Sequence, residues 1–123
     1  RAILNYGHTI GHAIEAAAGY SGRYNHGEAI ALGMLVAGRI AFELGLAKEA
    51  DIRRVEDLIR KVGLPVMIKG VAIPDIYEAH LHDKKFAGGK NRFILSARIG
   101  SALSVDGVAN SAVRNALKAC VEN

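Results

Sequence analysis

Between Asn25 and Gly45 apolar residues fall on every side of an α-helix: Ile30, Leu32, Met34, Leu35, Val36, Ile40, Phe42 and Leu44 leave no broad polar face. A helix of that kind must be covered on all sides, so the chain is expected to pack around it as further helices. Gly27, Gly33, Ala37, Gly38 and Ala41 leave room for neighbours to approach closely. Asn25 with Glu28 three residues later is an Asn-x-x-Glu variant of the capping box and marks where the helix starts.

The segments around it read as its covering. A first helix is expected from about Ala2 to Ala18, stopped by Gly19. A third, Lys48 to Val62, carries Ile52, Val55, Ile59 and Val62 on one face and charged residues elsewhere, and Gly63-Leu64-Pro65 ends it. A short helix should start at Pro74 or Asp75 and reach about Asp83. Arg92–Ser96 and Ala102–Val105, on either side of Ile99-Gly100-Ser101, read as two short strands. A last helix from about Asn110 to Val121 puts Val113, Ala116, Leu117 and Cys120 on one side. The expected fold is mainly α: one multi-helical domain, residues 1–123, with a small β-hairpin.

Composition narrows the function classes. Half the residues are apolar and only two are Pro, which argues against disorder. The longest uncharged apolar stretch, Ala29 to Gly38, is far short of the roughly 20 residues of a membrane span, so no membrane partner is expected. A single cysteine, Cys120, and no signal-peptide pattern fit the reducing cytoplasm. Sixteen Lys and Arg against twelve Asp and Glu give a net charge of +4, which favours anionic partners without naming their class.

The first helix holds the most informative pattern. At 100° per residue, Arg1, Asn5, His8, His12 and Glu15 share an arc of about 80° that extends roughly 21 Å along the axis. Nearly all other positions there are Ala, Ile, Leu or Gly, so this narrow polar seam either faces a polar cavity or is a solvated edge. His8 and His12 stand at i, i+4, a spacing that lets two imidazoles share a metal, but Thr9 stands where the zincin pattern requires Glu. His26 lies in the first turn of the next helix, where the dipole favours a neutral, lone-pair-bearing ring. A hairpin of the two helices would carry His26 back beside His8. Two His, a carboxylate and an open position would make a reasonable catalytic Zn²⁺ site, and a hydrogen-bonded or surface pair stays open as the alternative. Glu15 and Glu28 are the nearby carboxylates, with supporting or capping roles as their simplest use.

Together, Arg1-Ala2-Ile3-Leu4-Asn5-Tyr6-Gly7-His8-Thr9-Ile10-Gly11-His12-Ala13-Ile14-Glu15 and His26-Gly27-Glu28-Ala29-Ile30-Ala31-Leu32-Gly33-Met34 resemble the metal-site signature of the 3-dehydroquinate synthases. Asp83-Lys84-Lys85, Gly89, Arg92, Ile94-Leu95 and Ile99-Gly100 resemble a later segment of that family. The resemblance implies the C-terminal half of a two-domain enzyme whose Rossmann-like, NAD⁺-binding N-terminal half is missing, since Arg1 already belongs to the polar seam. It implies His8 and His26 as ligands of Zn²⁺ or another divalent metal such as Co²⁺, with a third ligand from the missing half. His12 would be the catalytic proton-transfer residue, Arg1 and Asn5 would contact the anionic substrate, and one of Lys84 and Lys85 would lie near its phosphate. The implied reaction converts 3-deoxy-arabino-heptulosonate 7-phosphate to 3-dehydroquinate and phosphate in the shikimate pathway, by a protein expected to be a homodimer. The isolated chain is expected to be inactive.

Two other classes compete. A sister sugar-phosphate cyclase of the 2-deoxy-scyllo-inosose synthase type would share the metal and NAD⁺ chemistry but tends to differ at Arg1 and Asn5. A nonenzymatic helical module binding nucleic acid would use Arg53, Arg54, Arg60, Lys61, Lys84, Lys85 and Lys90. Those positive residues alternate with acids and no aromatic-basic recognition motif accompanies them, so no nucleic-acid partner is expected.

Overall fold

The computed structural model describes residues 8–19, 23–86, 92–98 and 101–121. Five helices and two strands follow one another as α1 (His8–Ala17), α2 (His26–Glu43), α3 (Glu49–Lys61), α4 (Ile73–Phe86), β1 (Arg92–Arg98), β2 (Ser101–Asp106) and α5 (Asn110–Cys120). As the all-round apolar pattern requires, α2 is the hub, packing against α1, α3, α5 and β1. Leu32, Val36 and Ile40 on α2 are fully buried, together with Ile10 and Ile14 of α1, Ile76 of α4, and Val113 and Leu117 of α5. Its two ends emerge: His26 and Gly27 at the start, and Phe42, Glu43 and the capping Leu44 at the finish, are exposed.

Both ends of α2 are built as the sequence implies. At the start, the Asn25 side chain accepts from the Glu28 N–H at 2.8 Å and the Glu28 carboxylate accepts from the Asn25 N–H at 2.9 Å, so two otherwise orphaned donors are satisfied reciprocally. At the finish, Gly45 takes φ +74° and donates to Phe42 O, while Leu46 donates to Ala41 O. That Schellman closure needs the left-handed conformation glycine adopts without strain.

α3 buries Ile52 and Ile59 but leaves Val62, expected on the same face, 65% exposed. Val62 is the C-cap, where the chain leaves the helix toward Gly63 and the face no longer points at α2. α4 begins at Ile73 and runs to Phe86, a turn beyond the expected stop at Asp83. Its Lys84-Lys85 end lacks the apolar spacing that would have announced helix. α5 buries Val113, Ala116, Leu117 and Cys120 as expected, and Ala112 with them. Burial pushes the Cys120 thiol up to about 12, which leaves it protonated and unreactive at neutral pH.

The hairpin is antiparallel, pairing Arg92 with Asp106, Phe93 with Val105, Ile94 with Ser104 and Leu95 with Leu103. An irregularity between Leu95 and Arg98 shifts the register by one before Arg98 meets Ser101. The linker from α3 to α4 is tied down at two successive residues. Ile68 donates to Cys120 O at 2.8 Å and forms an isolated parallel bridge with Val121. At Lys69, the Tyr24 hydroxyl donates to the carbonyl and accepts from the N–H at 2.7 Å. No helix among the described residues is long and apolar enough to cross a membrane.

Candidate metal centre

The site forms where α1 lies along the start of α2. A Cβ built on Gly11 would lie 2.8 Å from Ile30 Cδ1 and 3.2 Å from the Ala29 carbonyl oxygen, so glycine allows the two helices this separation. With Gly11 opposite Ala29 and Ile30, the chain directions bring Glu15, one turn further along α1, to His26, one turn earlier on α2. Glu15 Oε1 lies 3.1 Å from His26 Nδ1. The His12 ring centroid is 6.3 Å from that of His26, with the planes tilted by 31°.

Each of these side chains has a local reason to be there. His26 follows the capping Asn25 as the first residue of α2, so the capping box fixes the backbone from which its ring projects. Ile10, Ala13 and Ile14 hold the inner face of α1 in the core, which turns His12 outward and leaves Glu15 partly covered. The exposures differ sharply: the Glu15 side chain is 18% exposed and the His26 side chain 61%. The described part of the seam, His12 and Glu15, thus borders the start of α2.

The donor chemistry at His26 suits a divalent metal. An imidazole that donates Nδ1–H to a carboxylate has its tautomer and plane set, and its Nε2 lone pair is the coordinating one. Among the described residues no three His, Cys, Asp or Glu come together as a metal-holding group.

The sequence-predicted residues are placed as follows. His26 and His12 are adjacent. His8 is the first residue of α1, one turn ahead of His12, and its side chain lies outside the description. Arg1 and Asn5 lie outside the described residues. Lys84 and Lys85 are in the last turn of α4, a helix that packs against α1, and their side chains also lie outside the description. The two carboxylates left open by the sequence divide the work: Glu28 caps, and Glu15 binds His26. Sequence reasoning passed over His80, which is 1% exposed. Its signal was the i, i+4 spacing from buried Ile76 and the i, i+3 spacing from buried Tyr77.

Comparison with known proteins shows the family and the fold. A family model described as 3-dehydroquinate synthase C-terminal matches residues 1–86. The 3-dehydroquinate synthase of Nostoc punctiforme is 49% identical over 119 residues, covering 96% of this chain and 32% of that protein. The same enzyme of Acidithiobacillus ferrooxidans is 44% identical over 123 residues, covering 100% of the chain and 34% of that protein. Among solved structures, a 2-deoxy-scyllo-inosose synthase complexed with carbaglucose-6-phosphate, NAD⁺ and Co²⁺ superimposes with a TM-score of 0.80 at 30% identity, covering 96% of this chain and 33% of its own. A 2-epi-5-epi-valiolone synthase from Streptomyces hygroscopicus, with NAD⁺ and Zn²⁺ bound, gives a TM-score of 0.82 at 28% identity, covering 95% and 32%. The chain spans about a third of the length of these relatives. With the family model matched through the seam, the capping box and on to Phe86, the chain belongs to the 3-dehydroquinate synthase C-terminal family.

Proposed function

We propose that this chain is the C-terminal, metal- and substrate-binding part of a 3-dehydroquinate synthase, which converts 3-deoxy-arabino-heptulosonate 7-phosphate to 3-dehydroquinate and phosphate. The reaction class is that of a phosphate-eliminating carbon–oxygen lyase. The observation that carries the proposal is the His26–Glu15 pair beside His12, on a chain 44–49% identical to 3-dehydroquinate synthases.

His8 and His26 would hold the divalent metal, with a further ligand from the two thirds of the relatives' length that this chain does not span. When bound, the metal supplies Lewis acidity at substrate hydroxyls and NAD⁺, held mainly by the amino-terminal part, supplies a reversible hydride acceptor. The work of this chain is positioning and proton handling. His12, exposed next to His26, would take or give a proton at its ring nitrogen, a role that its position beside His26 supports. Arg1 and Asn5 extend the same seam and are assigned to the anionic end of the substrate, where a guanidinium can make a charge-assisted, two-pronged contact. Lys84 or Lys85, on the helix beside α1, is assigned to the phosphate. The isolated chain would hold half of a cleft and not turn over. Homodimer formation and a cytoplasmic location are proposed on the family resemblance.

A sister cyclase is the second reading, supported by the solved neighbours at 28–30% identity, below the 44–49% to dehydroquinate synthases. Product analysis on the full-length protein separates the two. Phosphate release with 3-dehydroquinate formation from the heptulosonate phosphate is expected, and turnover of glucose 6-phosphate or sedoheptulose 7-phosphate in its place overturns the assignment. Metal analysis should give about one divalent ion per chain, lost in His8→Ala and in His26→Ala.

A further inference from the structure

We infer that Glu15 is a positioning residue: its carboxylate fixes the ring plane and tautomer of His26, so that Nε2 is the nitrogen presented to the metal. The inference rests on the metal-centre reading above and deepens it.

Glu15 Oε1 is 3.1 Å from His26 Nδ1, the ring nitrogen nearer the backbone. A neutral imidazole carries one N–H, and a carboxylate, which only accepts, draws that hydrogen to Nδ1. The coordinating lone pair is then on Nε2, at the outer end of a side chain that is 61% exposed. Such carboxylate–histidine pairs orient metal-binding imidazoles and raise their basicity.

Three observations separate this from an incidental surface ion pair. The Glu15 side chain is 18% exposed, so it is held against the protein and not waving in solvent. The other nearby carboxylate, Glu28, is committed to the Asn25 N–H, which leaves Glu15 as the described carboxylate bonded to His26. The α1–α2 register that creates the pair is set by the close approach at Gly11, one turn away and inside the core, and not by the pair itself.

The test is carried out on the full-length protein, measuring Zn²⁺ affinity by competition with a chelator and the visible absorption of the Co²⁺ form. Glu15→Ala should bind Zn²⁺ about 10–100-fold more weakly, with an unchanged circular dichroism spectrum and altered Co²⁺ bands. Glu15→Gln, whose amide oxygen can still accept from Nδ1, should recover part of that loss. Affinity within about twofold of the parent and unaltered Co²⁺ bands in Glu15→Ala, while His26→Ala loses the metal, would overturn the role of Glu15 and leave the metal centre standing. Parent affinity in both His8→Ala and His26→Ala would instead overturn the metal centre. Should Glu15→Ala not fold, ¹⁵N NMR of the unsubstituted, metal-free protein decides independently: neutral His26 should carry its proton on Nδ1, and a proton on Nε2 refutes the inference.

Discussion

α1 and α3 both pack against α2 and both carry charged or polar residues outside the core, yet they direct those residues differently. On α3 the charges satisfy one another along the helix. Arg53 pairs with Glu49 at 3.2 Å, and Arg60 with Glu56 at 3.2 Å and with Asp57 at 3.4 Å, all at i, i+3 or i, i+4 spacing. On α1 the pairing crosses to another element, from Glu15 to His26 eleven residues on. Charges that cancel within one helix keep a surface wet and the helix in register. Polar groups that reach across helices tie two elements together, here at the capped start of α2.

That contrast can be broken in stages. The largest effect is expected at the pair that crosses: in the full-length protein, His26→Ala should lose metal affinity by more than the roughly 10–100-fold of a supporting residue, and phosphate release should fall with it. Metal retention at the parent level would put α1 in the same class as α3. Next, Gly11→Ala would displace the end of the Ile30 side chain and set a methyl 3.2 Å from the Ala29 carbonyl oxygen and 3.3 Å from Ile30 Cα, backbone atoms that yield only by a small shift of α1 against α2. Denaturant titration should show a loss of about 1–3 kcal/mol, the usual cost of overpacking, accompanied by weaker metal binding because the Glu15–His26 register shifts. Asn25→Ala removes one side of the capping box and should cost about 1 kcal/mol. Smallest is the α3 side: Arg53→Ala breaks a pair whose members are 73% and 49% exposed and should change stability by less than about 0.5 kcal/mol, with no effect on metal. A larger loss there would mean that α3 is more than a solvated face.

How far the sequence could be read depended on whether a feature is local. The capping box at Asn25 and Glu28, the buried face of α5 and the hairpin are written in short-range spacing, and the structure has them. Val62 kept its apolar spacing to the final residue and still came out exposed, because periodicity does not say where a helix stops facing its neighbour. The extra turn of α4 through Lys84 and Lys85 had no apolar mark. A supporting role for Glu15 was readable, but its partner was the least legible. Its seam was visible from the helical angle, but the partner on α2 depends on the offset between two helices, and that offset is set by a contact at Gly11 that one sequence does not display.

The double tie on the α3–α4 linker has a consequence for what this fold can absorb. Ile68 is bound to the end of α5 and Lys69 to the tyrosine just ahead of α2, so neighbouring residues answer to opposite parts of the chain. Extra residues inserted near exposed Gly63 would be taken up as a longer surface loop. A single residue inserted between 68 and 69 would separate two anchors that one peptide unit now spans, and the lead-in to α4, three residues on, would lose one of them. Length variation in this linker is therefore expected to gather on its α3 side.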